Sequence, residues 1–316
     1  MYGVIPMYLL AEGHNPMPSP PDRLLVVGAT GMLGKPVADA LHAAGFTVCI
    51  LTRNPASARA RFPAGIEIAK GDVADPAALA RALDGCAGVH INLKGGPSAD
   101  DYERVEHQGT RAVAEAARAA GVHQLTYLSG YTISEQTGHS PESRAKWRAE
   151  EAIRASGVPY TIFRATWFME SLPLFVQGRA AVLVGRQPHR LHWLAAADYA
   201  QMVVRSYQRP AALGRELYLY GPEALTMREA LLRYRTLAAP GSALITLPIW
   251  LSATLGRVTR STELQSLTTL MTYYNWHGET GDPQDARGIC GAPVTTLDRW
   301  CQLQRGEPVE ASHIRA

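Results

Sequence analysis

The stretch Leu24-Leu25-Val26-Val27-Gly28-Ala29-Thr30-Gly31-Met32-Leu33-Gly34 decides the fold. Four apolar residues in a row suit a strand buried on both faces. They run straight into a turn with a glycine at every third position, and a helical stretch from Gly31 to Ala44 follows, stopped at Gly45. In a strand-turn-helix unit each glycine has a physical reason. Gly28 permits the tight turn, Gly31 lets the backbone approach a pyrophosphate, and Gly34 lets helix and strand pack closely. Thr30, Met32 and Leu33 complete the turn. Phosphates would rest on the helix N-terminus, where free N–H groups and the helix dipole favour anions. The glycine spacing alone is a modest signal, and the strand before it and the helix after it are the confirming context.

From this unit the same alternation continues to Arg164. Strands are expected at Thr47–Leu51, Ile66–Ala69, Val89–Leu93, Leu125–Ser129 and Tyr160–Phe163. Helices are expected at Pro55–Arg61, from Asp75-Pro76 to Leu83, along an Ala-rich Asp100–Ala120, and from Ser140-Pro141-Glu142 to Ser156-Gly157. Asp75 and Ser140 are cap residues followed by Pro at the first helical position. Strict β-α alternation predicts an α/β fold, a doubly wound parallel sheet with right-handed crossovers. After Arg164 the pattern loosens. Leu217–Tyr220 is strand-like, Thr226 and Glu229 form a capping box, and Leu264, Leu267, Leu270/Met271 and Tyr274 recur at helical spacing. These features predict a smaller C-terminal α+β lobe. The expected organisation is a disordered Pro-rich leader over 1–22, a dinucleotide-binding domain over 23–165 and a substrate lobe over 166–316.

Composition narrows the function classes. The chain has 316 residues, 47% hydrophobic and 19% charged, which describes an ordinary globular protein. Thirty-one Lys+Arg against twenty-eight Asp+Glu give a net charge of +3. That bias is too small to make nucleic acid or an anionic membrane the main partner. No apolar run reaches the roughly 18 residues of a membrane span, and the best candidate, Ala243–Leu255, is broken by Pro248. The N-terminus lacks the basic and apolar regions of a secretory signal. Cys49, Cys86, Cys290 and Cys301 form no CxxC pair, so structural thiols in a reducing cytoplasm are expected. His189 and His192, with no Cys or carboxylate close by in sequence, make a weak metal pair, and no metal site is expected.

Residues at the expected carboxyl ends of the strands carry the binding chemistry. Arg53 lies 19 positions past Gly34, where an acidic residue would grip a ribose 2′-hydroxyl. A cation there suits the 2′-phosphate of NADP rather than NAD, with Arg59 or Lys35 as assistants, although a solvated loop arginine has the same sequence signature. Asp72, with Val73 beside it in Gly71-Asp72-Val73, is placed to accept from an adenine amino group or simply to cap its turn. Leu93 and Lys94, in Asn92-Leu93-Lys94-Gly95-Gly96-Pro97, would approach the nicotinamide half or form a plain loop. Trp167, Phe168 and Met169 follow the sixth strand and would line an apolar substrate pocket or join the core. Asp198 is expected to cap the helix reaching Tyr207.

Together, Gly28 to Gly34, Thr52-Arg53-Asn54-Pro55, Gly71-Asp72-Val73-Ala74-Asp75 and Tyr127-Leu128-Ser129 resemble the NmrA-like atypical short-chain dehydrogenase/reductases. So do Lys146-Trp147-Arg148-Ala149-Glu150-Glu151 and Ser156-Gly157-Val158-Pro159-Tyr160-Thr161-Ile162-Phe163-Arg164, over roughly 23–229. The resemblance implies a Rossmann domain with a small substrate lobe and bound NADP(H). Members divide between reductases and nucleotide-binding sensors. It also implies a Ser after the fifth strand and a Tyr and Lys four residues apart. Ser129 and Lys146 match, but Glu142 stands where the Tyr belongs. Residues four apart share a helix face, so Glu142 and Lys146 are expected to pair near the nicotinamide ribose. Alternatively Lys146 acts as general acid/base, which requires its pKa to fall toward neutrality. Tyr131 is the nearest other phenol, as a carbonyl polariser, a pocket wall or packing. The leading expectation is an NADP(H)-dependent reductase of a small apolar or aromatic carbonyl, enone or quinone-like substrate. The alternative is an NADP(H)-binding sensor read by a partner protein.

Overall fold

The computed structural model describes residues 23–96, 98–137 and 140–305; the leader over 1–22 and Pro97 lie outside the described residues. The first half runs β1 (Arg23–Val27), α1 (Gly34–Ala43), β2 (Thr47–Thr52), α2 (Pro55–Arg59), β3 (Glu67–Lys70), α3 (Pro76–Leu83), β4 (Gly88–Ile91), α4 (Ala99–Asp101), a π-helical stretch (Tyr102–Gln108), α5 (Gly109–Ala119), β5 (Gln124–Gly130), α6 (Pro141–Ser156) and β6 (Tyr160–Ala165). Alternation along β1 builds the layers. Leu24 and Val26 enter one apolar cluster with Val37 and Leu41 of α1. Leu25 and Val27 enter a second with Leu79 of α3, Val113 of α5 and Ile153 of α6. A strand buried on both faces is thereby fixed between two helical layers.

The second half contributes β7 (Val176–Gln177), β8 (Ala180–Val184), β9 (Arg190–His192), α7 (Ala196–Tyr207), β10 (Arg215–Leu219), β11 (Ala224–Thr226), α8 (Met227–Ala238), β12 (Ala243–Leu247), α9 (Ile249–Val258), α10 (Thr262–Trp276), α11 (Gln284–Cys290) and α12 (Leu297–Gln304). The central sheet has seven parallel strands in the order β10-β6-β5-β4-β1-β2-β3. Two small sheets, β12-β8-β7 and β11-β9, belong to the smaller lobe. Met169, Trp193, Met227 and Trp300 are buried in a third cluster there. Among the described residues no helix is long and apolar enough to cross a membrane, and all four cysteines are free and buried.

Capping chemistry reads through as expected at several points. Asp75 accepts from the N–H groups of Ala77 and Ala78. Ser140 accepts from Ser143, and Thr226 and Glu229 close a reciprocal box.

The chain returns to the first unit after residue 165: α7 packs on α1 and β10 pairs with β6. Leu217 and Leu219 of β10 are fully buried in the α1/α7 layer, so covering the exposed edge of β6 draws the chain back into the first unit. The expected helix Asp100–Ala120 is interrupted by the π stretch, which carries a fully buried acid, Glu106. Asp198 does not cap α7, which starts two residues earlier. It accepts instead from the N–H groups of Val294 and Thr295 at 2.9 and 2.8 Å, tying down the segment before α12. Glu170 takes the N–H at the start of α7.

Candidate functional site

Strand order reverses between β1 and β4, and sheets of this kind bind ligands outside the carboxyl ends of strands at such a point. A groove of about 600 Å³ lies there, within the size range of small-molecule clefts. The glycine turn forms one wall. Gly28 has φ +82°, and a Cβ on it would stand 2.1 Å from the carbonyl oxygen of Asn92. A Cβ on Gly34 would stand 2.2 Å from the carbonyl oxygen of Gly28, so helix and strand meet there backbone to backbone. A Cβ on Gly31 would stand 3.3 Å from that same carbonyl, a tight contact short of a clash. Leu33, at the N-cap of α1, has no side chain able to cap. In the first turn of that helix the N–H of Lys35 donates to the carbonyl of Gly31 at 3.2 Å and Pro36 has no N–H, so an anion there meets the helix dipole and the N–H of Gly34. Three glycines without side chains and an uncapped helix end fit a diphosphate. Thr30 lines the groove with Gly28 and Gly31. Met32 lies exposed at the tip and Leu33 packs on the α1 layer, so these two and Gly34 shape the turn without lining the groove.

Arg53, Asp72, Val73, Leu93 and Lys94 also line the groove. Arg53 is 79% exposed, and its Nε stands 3.8 Å from Asp72 Oδ2. So loose an exposed pair contributes little and leaves the guanidinium available. Asp72 caps its own turn, Oδ1 accepting from the N–H of Ala74 at 2.9 Å, and also lines the groove. Neither of the expected assistants, Lys35 and Arg59, lines the groove. Lys35 is drawn to Asp39 at 2.5 Å. Arg61 reaches the turn instead, donating to the carbonyl of Thr30 at 3.0 Å. Gly95, Gly96 and Arg104 line the groove as well; Pro97 of the same loop lies outside the described residues.

Lys146 sits behind this loop with its side chain 15% exposed. The expected pair with Glu142 gives way to another partner: Lys146 Nζ is 3.1 Å from Glu106 Oε2, and Glu106 Oε1 accepts from the N–H of Gly95 at 2.8 Å. One buried carboxylate therefore joins the lysine to the groove. Desolvation would lower the Lys146 pKa, but Glu106, Tyr127 and Glu142 outweigh it and hold the ammonium above its ordinary value. A general acid/base role would need the opposite shift. Burial and the nearby Glu106 push the Glu142 carboxyl up. Sequence reasoning missed Glu106 altogether. A signal was present, since Glu106 precedes Thr110 by four and Val113 by seven, placing an acid on an apolar helical stripe.

Ser129 is not brought to Lys146's ammonium. It is buried and donates to Glu150 Oε1 at 2.7 Å. Glu150 is also paired with Arg164 at 2.6 Å and Arg154 at 2.8 Å. The serine belongs to a network that fastens α6 to β6, four residues beyond Lys146. Tyr131 is 2% exposed and packs against Tyr220 and Tyr274, and burial pushes its phenol pKa up. Of the three residues after β6, Phe168 and Met169 lie in the two cores. Trp167 alone touches the Tyr131 cluster, 5.1 Å from the Tyr274 ring.

The NAD(P)H-binding family model matches residues 28–210, more than half of the chain. A (4-alkanoyl-5-oxo-2,5-dihydrofuran-3-yl)methyl phosphate reductase of Streptomyces griseus is 36% identical over 211 residues, 65% of this chain and 70% of that protein. The photosystem II assembly factor Ycf39 of Trieres chinensis is 28% identical over 233 residues, 72% of this chain and 73% of that one. Among solved structures, an NADPH-dependent quinone oxidoreductase of Escherichia coli complexed with NADPH superposes with TM-score 0.69 at 23% identity, over 89% of this chain and 99% of that one. With the glycine turn, the switch-point groove and these matches together, the chain belongs to the NAD(P)H-binding family.

Proposed function

We propose that this protein is an NADP(H)-dependent reductase acting on a small apolar or aromatic carbonyl, enone or quinone-like compound. The observation that carries the proposal is the groove itself, with open glycine backbone and an uncapped helix at one wall and the exposed Arg53 beside it. Gly28, Thr30 and Gly31 would line the diphosphate, the two glycines letting it approach the backbone and the helix N-terminus. Arg53 would hold the 2′-phosphate, selecting NADP over NAD. Leu93, Lys94 and Gly95 would lie along the nicotinamide half. When bound, the dinucleotide supplies hydride chemistry.

Lys146, kept protonated by Glu106, would hold ribose hydroxyls and bring a fixed positive charge to this end of the groove. It would orient and not donate protons. The two curated relatives named above divide between a reductase and an assembly factor. The first supports turnover. The second, with Glu142 in place of Tyr, supports an NADP(H)-binding accessory protein as the alternative. The test is a screen of aromatic aldehydes, enones and quinones for NADPH oxidation, run on protein shown by calorimetry to bind NADPH. Oxidation with any of these classes supports the reductase. Tight NADPH binding with no oxidation by any class refutes it and leaves the accessory role.

A further inference from the structure

We propose that His192, oriented by Glu279, is the acid that protonates the substrate oxygen, filling the role left open by Glu142 at the expected Tyr position. This inference rests on the reductase reading. The two residues are 87 positions apart, and the lobe folds them together beyond the carboxyl end of β6. Glu279 is nearly buried, with 8% of its side chain exposed. Its Oε2 takes the Nδ1–H of His192 at 2.5 Å. Its Oε1 takes the backbone N–H of His192 at 2.8 Å and the hydroxyl of Thr166, the first residue after β6. The imidazole lies flat on Tyr220, 5.5 Å between centroids and 4° between planes, and Tyr220 Oη is itself fixed to the carbonyl of Thr280 at 2.6 Å.

A base held by a carboxylate and clamped against a ring is the arrangement that orients catalytic histidines. With Nδ1–H committed to Glu279, Nε2 is the free nitrogen; among the described residues no hydrogen bond engages it, and the side chain is 36% exposed. A proton given away can therefore be restored from water.

The dyad is placed for this task by the sheet. Lys94 and Gly95 follow β4, Tyr131 follows β5, and Thr166 follows β6. Adjacent strands lie about 4.8 Å apart, so the ends of β4 and β6 stand about 10 Å apart along one edge, with Glu279 and His192 on the Thr166 side. Tyr131, edge-on to Tyr220, lies between them. Its hydroxyl and the indole N–H of Trp167 are buried without partners. Unpartnered buried donors are uncommon and call for an explanation, which an oxygen-bearing ligand beside this aromatic cluster supplies.

The step balances as follows. The substrate carbonyl carbon receives a hydride from the reduced dinucleotide, which is left oxidised, and the carbonyl π pair moves onto oxygen. That oxygen takes the proton from His192 Nε2–H, so an O–H bond forms as the N–H bond breaks. The Nδ1–H stays with Glu279, the ring that gave the proton is left as neutral imidazole, and water reprotonates Nε2.

The test compares the parent, His192→Gln and His192→Ala in NADPH oxidation by 4-nitrobenzaldehyde and by menadione, with NADPH affinity measured by calorimetry on the same preparations. A positioned acid contributes about 10²–10⁴-fold. The aldehyde kcat should fall about 100-fold in both variants, while NADPH affinity stays within about twofold. Menadione reduction should fall less, because its reduced oxygen is the weaker base. Added imidazole should restore His192→Ala but not His192→Gln. An aldehyde kcat within about threefold of the parent overturns the proposal. So does an equal loss on both acceptors without rescue, the signature of a merely structural histidine. Should the parent bind NADPH yet oxidise it with neither acceptor, the reductase reading fails separately. The dyad is then judged by ¹⁵N spectra of the NADP⁺-saturated protein: a shift of the His192 Nε2 resonance on adding 1-naphthol supports it, and an unmoved resonance sinks it.

Discussion

Replacing Glu106 by Gln isolates the buried charge that ties Lys146 to the groove. At 3.1 Å and an effective dielectric of about 20, the gross attraction of the pair is about 5 kcal/mol. Part of it offsets the desolvation of both ions, so the pair's net worth is far smaller, but removing one partner alone strands the other. Stranding a buried charge costs about 3–5 kcal/mol. The lower end applies here: the Gln oxygen can still accept from Gly95, and Glu142 remains as a second negative charge near Lys146. The expected loss for Glu106→Gln is therefore about 3 kcal/mol, read by urea denaturation and as a fall in Tm of about 5–10 °C. Adding Lys146→Met should recover about 1–2 kcal/mol, since an apolar side chain in place of a stranded ammonium removes the penalty. If the single variant lies within about 0.5 kcal/mol of the parent, or the two substitutions add within that margin, the pair is uncoupled and the reasoning is refuted.

The glycine turn divides into two kinds of position. Gly34→Ala, whose Cβ meets backbone at 2.2 Å, should destabilise by about 1–3 kcal/mol as overpacking does. Gly31→Ala, whose Cβ would stand 3.3 Å from the Gly28 carbonyl oxygen, should cost less than Gly34→Ala, about 1 kcal/mol or under, while weakening NADPH binding in calorimetry; the opposite ordering would reverse the roles. Ser129→Ala should lower stability by about 1.5–3 kcal/mol by removing a hydrogen bond to the buried Glu150. Its kcat for NADPH oxidation should stay within about threefold, and a large kcat loss at unchanged stability would restore Ser129 to the reacting groups. The Glu142 carboxyl has a folded-state pKa raised above 4.5. Its stability contribution is therefore full below that pH and is lost as pH rises through the folded value. Glu142→Gln should then be more stable than the parent at pH 7, with the gap closing toward pH 4.5 in urea titrations; a gap independent of pH would contradict the assignment.

Local chemistry made much of this molecule legible. An apolar run followed by glycines fixes β1 and its turn, and Asp75-Pro76 and Thr226/Glu229 mark helix starts by short-range capping alone. Arg53, Asp72 and Lys94 follow strand ends, and parallel topology brings such ends to one edge. What escaped the sequence is long-range or changes the helical period. Glu106 is delivered inward by π-helical turns that a 3.6-residue pattern does not announce. β10 returns to cover β6 across an intervening lobe. Ser129 was placed by its position relative to Lys146, while the acid that binds it, Glu150, lies on the same face one turn further along α6. Glu279 reaches Thr166 and His192 across the lobe, in a polar loop with no periodicity to read.

Calorimetric titration of the purified protein with NADPH and with NADH, repeated on Arg53→Asp, bears most directly on the groove at the β1/β4 switch point. The parent should bind both coenzymes, NADPH about tenfold or more tightly, a difference of about 1.4 kcal/mol or more, and Arg53→Asp should narrow or invert that preference. Absence of heat with either coenzyme, or equal affinity unmoved by the substitution, would contradict the assignment of the glycine turn and Arg53.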